Sequence, residues 1–145
     1  MKKIFVLPVL LLLFAAYGHA ATEAEALPEG VKAKNIRNVS VKWLQKLDEG
    51  CYIRCYDESS FLMTAALTPG RWFDNINAYR KPLGGLKKRT EINMYYAQEM
   101  PGRPKGEYIV LQYGAVFEKN KVKIESVVIV KEPGGKWKVA DYFIK

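Results

Sequence analysis

The spacing of the apolar residues changes near residue 85, and this change constrains the fold more than any other feature of the sequence. Upstream, apolar residues recur at steps of three and four, which places them on one face of a helix. The pattern predicts three helices: the first begins at Ile36 and ends by Gly50, the second runs from Cys51 to about Ala66, and the third runs from Pro69 to just before Pro82. Thr68 precedes the third helix as a cap, and proline suits the first helical position because its missing N–H has no helical partner there.

Downstream of residue 85 the apolar residues alternate, which is typical of strands with one buried face. Four such segments are separated by short turn-rich sequences and cover residues 86–98, 107–118, 122–131 and 136–144. Consecutive strands joined by short turns pair antiparallel as a meander. Helices followed by strands indicate an α+β domain. We therefore predict three N-terminal helices packed on one face of a curved four-stranded antiparallel meander sheet.

Residues 1–20 have the layout of a cleavable bacterial secretion signal. Lys2 and Lys3 precede an apolar run, and small residues surround a cleavage point between Ala20 and Ala21. The apolar run is shorter than the roughly 20 residues that cross a bilayer as a helix. We expect a signal peptide over residues 1–20, a flexible linker over 21–34 and a single domain over 35–145, with the processed chain in the periplasm or secreted and without a membrane span.

The chain has one histidine, His19, and cleavage after Ala20 would remove it. A processed chain without imidazole has no Ser-His-Asp or Cys-His site and none of the usual zinc sites. Removal of Lys2 and Lys3 would leave 21 Lys and Arg against 15 Asp and Glu, a net charge of +6. Such a charge favours anionic surfaces in general, but the basic residues are dispersed, so we expect no nucleic-acid partner. We expect no cofactor and no metal.

Four segments, with Arg89 and Glu125 between them, together resemble the domain-of-unknown-function family 4019 of bacterial exported proteins: Trp43–Tyr52, Arg80–Gly84, Pro101–Tyr108 and Gly135–Ile144. The resemblance implies export and a cystatin-like or nuclear-transport-factor-like cone, in which helices close over a curved sheet. It implies no activity. The chain departs from the family pattern at two positions, with Tyr56 in place of a tryptophan and Asp141 in place of a glycine.

Five residues within this pattern are candidate binding residues: Arg80, Arg89, Glu107, Tyr108 and Glu125. In one interpretation they line the mouth of the cone and hold an anionic ligand through an arginine. In the other they form ordinary ion pairs that join the third helix to the sheet, and that interpretation is favoured because structural ion pairs are common. Tyr95, Tyr108 and Tyr142 are expected to face solvent, in contrast to the core aromatic residues Trp43, Trp72, Tyr113 and Trp137.

Cys51 and Cys55 are the only cysteines, and an oxidising compartment would permit a disulfide between them. Their spacing of four residues on a regular helix leaves the Cβ atoms too far apart, so a bridge needs a distorted turn. The alternative is two reduced thiols on one helical face, which this geometry favours.

The sequence predicts an exported, non-catalytic domain that binds either a small apolar or anionic ligand or an envelope protein. A first alternative is a small hydrolase or isomerase that uses a carboxylate, a tyrosine and an arginine in the concavity of the cone. Its carboxylates would come from Asp48, Asp57, Asp74 or Asp141, although each has a structural role available. A second alternative is a structural envelope protein without a ligand. The oligomeric state stays open.

Overall fold

The computed structural model describes residues 26–145, which form four α-helices and four β-strands. The helices are α1 (Ala33–Asp48), α2 (Tyr52–Asp57), α3 (Phe61–Ala66) and α4 (Pro69–Asn75); a π-helical turn (Ile76–Arg80) and a 3-10 turn (Lys81–Leu83) continue α4. The strands are β1 (Leu86–Ala97), β2 (Tyr108–Phe117), β3 (Val122–Lys131) and β4 (Trp137–Ile144). The predicted signal peptide and the cleavage site between Ala20 and Ala21 lie outside the described residues.

Each strand pairs antiparallel with the next one along the chain, in the order β1-β2-β3-β4. The predicted α+β class and the four-stranded antiparallel meander are therefore confirmed. Helix α1 contacts β2, β3 and β4, and α3 contacts β4. Three irregularities interrupt the regular pairing, two in β1 at Lys87 and Ile92 and one in β4 opposite Val128 and Ile129.

The predicted number of three helices is wrong, because the segment expected to form one helix from Cys51 to Ala66 forms two. Ser60 lies between α2 and α3 with an extended backbone (φ −69°, ψ 161°). Its N–H donates to the carbonyl oxygen of Val139 in β4 (2.7 Å) instead of to a helical carbonyl. The break therefore satisfies a backbone acceptor on β4, a tertiary contact that local spacing cannot reveal.

The start of the third predicted helix is confirmed at Thr68 and Pro69. The hydroxyl of Thr68 accepts a hydrogen bond from the backbone N–H of Arg71 (3.3 Å), and Pro69 takes the first helical position.

The main core fills the space between the helices and one face of the sheet, which we call the inner face. Its side chains come from both layers and include Ile36, Trp43, Leu44, Leu47, Trp72, Ile76, Ile109, Leu111, Tyr113, Val127 and Ile129. Leu27 and Val31 also pack against this core, and α1 begins at Ala33, so part of the segment predicted as a linker contacts the domain. None of the helices within residues 26–145 is long and apolar enough to cross a membrane.

A second, smaller core lies on the opposite, outer face of the sheet, where Tyr108, Val110, Val128, Val130 and Ala140 are buried. The prediction that Tyr108 faces solvent is wrong: the residue is 1% exposed. The loop between β1 and β2 folds back over this part of the face, because the Tyr108 hydroxyl donates to the carbonyl oxygen of Pro104 (2.6 Å) and Met100 packs against the same residues.

Asp141, one of the two departures from the family pattern, holds that loop to β4. One carboxylate oxygen accepts the backbone N–H of Tyr142 (2.9 Å), and the other pairs with Arg103 of the loop. The second departure, Tyr56, is buried, and its hydroxyl donates to the carbonyl oxygen of Leu67 (2.6 Å) just after α3.

Candidate functional site

Five polar side chains from different elements meet below the C-terminal end of α1, and we call them the ionic network: Asp48, Arg80, Arg89, Glu125 and Tyr142. Asp48 is the last residue of α1 and Arg80 the last of the π-helical turn. The other three lie on the inner face of β1, β3 and β4. The network therefore joins the helical layer to three strands of the sheet.

Arg89 is the centre of the network, because it bonds to two carboxylates at once. Its Nε and Nη2 donate to Glu125 (2.6 and 3.1 Å), and its Nη1 and Nη2 donate to Asp48 (2.7 and 3.0 Å). Burial alone would lower the pKa of Arg89, but the hydrogen bonds and charges of Asp48 and Glu125 outweigh it and raise that pKa above its ordinary value. The guanidinium is thus permanently charged.

Glu125 is 0% exposed, and its burial is matched by full hydrogen bonding. Besides Arg89, it accepts a hydrogen bond from the hydroxyl of Tyr142 (2.6 Å). Burial, with the neighbouring charge of Glu125, raises the pKa of Tyr142 well above its ordinary value. The phenol is therefore a neutral donor. The prediction that Tyr142 faces solvent is wrong, since the side chain is half-buried and its hydroxyl points into the network.

Arg80 is 4% exposed and is held on three sides. Nη1 donates to the carbonyl oxygen of Gly84 (2.8 Å), Nη2 donates to Asp48 (2.9 Å), and the guanidinium carbon lies 4.4 Å from the centre of the Phe117 ring. Gly84 has φ 75° and ψ −157°, a backbone region that is essentially restricted to glycine. Among the described residues, no acceptor contacts Arg80 Nε, which is buried.

A cleft of about 430 Å³ opens beside the network, between the helices and the edge of β4 that has no neighbouring strand. We call it the β4 cleft. One wall is formed by six consecutive residues, 140–145, and the opposite wall by side chains of α3, α4 and the π-helical turn, mainly apolar: Met63, Ala66, Leu67, Trp72, Ile76 and Tyr79. Arg80 and Tyr142 contribute to its lining, so the network forms one boundary of the cleft.

A second hollow of about 390 Å³ lies on the other side of the network, between α1 and the strands β1 and β2. Asp48 and Arg89 line it, together with Leu44, Glu91 and Tyr113. The ionic network is therefore a partition between two surface hollows, with Glu125 enclosed inside it.

Three backbone groups of β4 beside the cleft are already engaged by other parts of the protein. The carbonyl oxygen of Val139 accepts from the N–H of Ser60, and the N–H of Tyr142 donates to the side chain of Asp141. Arg103 lies within 3.5 Å of the carbonyl oxygen of Ala140. A strand added along this edge would have to displace these contacts.

Three of the five predicted binding residues, Arg80, Arg89 and Glu125, come together in the network. Glu107 and Tyr108 do not: the Glu107 carboxylate accepts from Lys131 (2.8 Å), and Tyr108 is buried in the outer core.

The sequence interpretation named Asp48 only as one of four candidate carboxylates and set it aside, and it missed Tyr142 as a member of the site. Both lie in segments that carry the family resemblance, and that resemblance was the one sequence signal that could have marked them as site residues. The end of a helix explained Asp48 without any partner, and Tyr142 was expected at the surface. Their contacts join residues 17 to 41 positions apart, which local patterns do not specify.

Cys51 and Cys55 are both free thiols in the part of the chain that the structure describes. The Cys55 thiol is buried and lies 3.6 Å from the carbonyl oxygen of Trp43, to which it donates. Burial raises the pKa of Cys55 to about 12. Cys51 is half-buried at the start of α2.

Within residues 26–145 there is no group of three or more His, Cys, Asp and Glu side chains placed to hold a metal ion. The two carboxylates of the network are instead occupied by arginine and tyrosine donors.

In the comparison with known proteins, a family model described as protein of unknown function (DUF4019) matches residues 39–142. Neither the curated proteins nor the solved structures include a match to this chain. The matched residues run from within α1 to within β4 and contain all five members of the ionic network. This chain belongs to the DUF4019 family of proteins of unknown function.

Proposed function

We propose that this protein is an exported, non-catalytic domain that binds a small molecule in the β4 cleft. The observation that carries the proposal is the cleft itself: about 430 Å³ of mainly apolar surface with a buried arginine at its boundary. Small-molecule sites in proteins have this combination of apolar walls and few polar groups, at volumes of roughly 300–1,000 Å³.

The interior between helices and sheet is an unsuitable site, because the protein fills it with its own side chains. Trp43 packs against Trp72 and Tyr142, with ring centres 5.7 and 5.6 Å apart, and Tyr113 donates a hydrogen bond to Ser40 there (2.9 Å). We propose that the helices and sheet have a cystatin-like cone arrangement whose concavity is closed in this way. A ligand would then bind beside the cone, at the edge of β4.

A non-catalytic role is supported by the state of the carboxylates near the cleft. Glu125 is enclosed and fully hydrogen-bonded, and Asp48 accepts hydrogen bonds from both arginines. A general acid or base must reach the proton that it transfers, and neither of these carboxylates lines the β4 cleft. Asp141 does line it, but its two oxygens are held by Arg103 and by the backbone N–H of Tyr142.

The proposed ligand site can be tested with a pair of substitutions on α3. Ala66 lines the cleft and Ala65 does not, while both are exposed. We expect Ala66→Trp to block binding of the neutral apolar dye N-phenyl-naphthylamine and to remove any small molecule that native mass spectrometry finds on the purified protein. Ala65→Trp should behave as the wild type. Equal binding by wild type and both variants would contradict the proposal.

An enzymatic function is the second candidate, and one contact favours it. Tyr142 lines the cleft, and its hydroxyl donates a hydrogen bond to the buried carboxylate of Glu125. A small hydrolase or isomerase could use this phenol as an acid. If so, Tyr142→Phe would abolish turnover of a substrate while retaining its binding, whereas a binding protein would show no turnover with either form.

Export is a separate part of the proposal. The full chain expressed in a bacterium should appear in the periplasm or medium with an intact mass that lacks residues 1–20. A mature protein that retains these residues would contradict export by a cleaved signal.

A further inference from the structure

We infer that the ligand of the β4 cleft carries an anionic head on an apolar chain, with the head placed at Arg80. This inference rests on the proposed function of the cleft and names the chemical class of its ligand. Two independent observations lead to it: an unused donor on a buried arginine, and the excess of positive charge around an otherwise apolar cleft.

The unused donor is Nε of Arg80. Arg80 lines the cleft, is 4% exposed, and donates through Nη1 and Nη2 to Gly84 and Asp48. Among residues 26–145 nothing accepts from its Nε. A buried donor without an acceptor is unfavourable, and a charged acceptor forms the strongest hydrogen bonds with guanidinium. Nε is covered by neighbouring protein atoms, so a ligand carboxylate or phosphate at this end of the cleft would supply the missing acceptor by displacing them.

The π-helical turn gives Arg80 this position. Lys81 N–H donates to the carbonyl oxygen of Ile76, one residue further back than in an α-helix. Such wide turns occur frequently at functional sites. Here the turn places Ile76 and Tyr79 on the cleft wall and Arg80 at its boundary with the network.

The charges that line the cleft are unequal. Three basic side chains, Arg80, Arg103 and Lys145, contribute to the lining against one carboxylate, Asp141. Asp141 is paired with Arg103, and the carboxylates of Asp48 and Glu125 together balance Arg80 and Arg89, so the excess positive charge of the lining is that of Lys145. An anion is therefore favoured over a cation or a neutral polar group.

The rest of the cleft suits an apolar chain. Met63, Leu67, Trp72 and Ile76 form the wall opposite β4. At about 30 Å³ for each water-sized group, the volume holds on the order of fourteen non-hydrogen atoms. This corresponds to a carboxylate on a chain of about ten carbons. A peptide strand fits less well, because Ser60, Asp141 and Arg103 already occupy backbone groups along β4.

The experiment compares three probes with the same ten-carbon chain and different heads: sodium decanoate, decanol and decyltrimethylammonium. Binding to the protein, purified after expression of the full chain, is measured by calorimetry, with the total tryptophan fluorescence as a second signal because Trp72 lines the cleft. We expect decanoate to bind about 10- to 100-fold more tightly than decanol, the gain that one charged hydrogen bond provides. Decyltrimethylammonium should bind more weakly than decanol.

The controls separate this inference from the proposed function. Ala66→Trp should abolish decanoate binding and Ala65→Trp should retain it. Arg80→Gln should reduce the preference for decanoate over decanol, and the comparison of heads on the wild type stands even if that variant fails to fold.

Equal affinity for decanoate and decanol, with both lost in Ala66→Trp, would overturn the anionic head but leave the cleft as a binding site. Binding of none of the three probes and of no neutral dye would overturn both. A second assay tests whether the protein sediments with phosphatidylglycerol vesicles. Sedimentation of the wild type but not of Ala66→Trp would identify a membrane lipid as the source of the anionic head and chain. Decanoate binding without sedimentation would identify a free carboxylate.

Discussion

Glu125 and Glu91 show how the same pairing has different consequences at two depths in the protein. Each carboxylate accepts two hydrogen bonds from one arginine, Glu125 from Arg89 and Glu91 from Arg37 (2.8 Å each). The Glu125 side chain is 0% exposed, whereas Arg37 and Glu91 are 47% and 28% exposed. Water screens the second pair and cannot reach the carboxylate of the first.

We predict that Glu125→Gln lowers the free energy of unfolding by about 3–5 kcal/mol, because it leaves a buried arginine with only one carboxylate. The matched change Glu91→Gln should cost at most about 1 kcal/mol. Urea unfolding of both variants measures the difference. Equal losses would show that the ionic network does not stabilise the fold.

The two cysteines should differ in reactivity, because Cys55 is buried with a pKa raised to about 12 while Cys51 is half-buried. Only the thiolate reacts with alkylating reagents. At about pH 8, iodoacetamide should add one group to the folded protein and two groups after unfolding in denaturant. Intact mass counts the additions. No addition to the unfolded, unreduced protein would mean that the two residues form a disulfide.

At the scale of single elements, β4 shows how one residue can protect a strand edge. Edge strands present unpaired backbone groups, and natural proteins commonly cover them with side chains or loops. Asp141 covers β4 by accepting the Tyr142 N–H and by pairing with Arg103 of the β1–β2 loop. The sequence interpretation recognised this residue as unusual for the family, but the loop contact became visible only in the folded protein.

We predict that Asp141→Gly speeds hydrogen exchange at the Tyr142 amide and throughout the 98–107 loop. Asp141→Asn is the matched control, because its side-chain oxygen still accepts the Tyr142 N–H while its charge for Arg103 is lost. The Asn variant should therefore keep the Tyr142 amide protected and release only the loop. Fast exchange at Tyr142 in both variants would contradict the assigned hydrogen bond.

At the scale of the whole molecule, three weakly acidic side chains, two buried and one half-buried, link stability to alkaline pH. Burial raises the pKa of Cys55 to about 12, and it is also the main reason that the pKa values of Tyr113 and Tyr142 are raised. In the unfolded chain these groups have their ordinary pKa values, 9.0 for cysteine and 10.0 for tyrosine, and therefore lose their protons at lower pH than in the folded protein. Above about pH 9 the folded state consequently binds more protons than the unfolded state. Stability is therefore unaffected by these groups below about pH 9 and falls as the pH rises beyond it.

We predict that Cys55→Ala reduces the slope of unfolding free energy against pH between about 9 and 12 by roughly 1.4 kcal/mol per pH unit. Cys51→Ala is the control and should leave the slope closer to that of the wild type. The measurement is urea unfolding at a series of pH values. Identical slopes for the wild type and Cys55→Ala would show that the thiol ionises equally in both states.

The sequence by itself determined the class and the order of the elements. Steps of three and four before residue 85 and alternation after it specify helices and strands, because each pattern is set by neighbouring residues along the chain. Short turns between strands then leave the meander as the simplest pairing. The position of the third helix followed from Thr68 and Pro69 for the same local reason.

Only the tertiary structure decided which polar residues share a site and which face of the sheet is covered. Asp48 reaches Arg80 and Arg89 across 32 and 41 residues, and the helix break at Ser60 depends on a carbonyl in β4. Tyr108 is buried because a loop folds over it. These contacts join distant segments, and their energies depend on burial, which no local pattern of residues specifies.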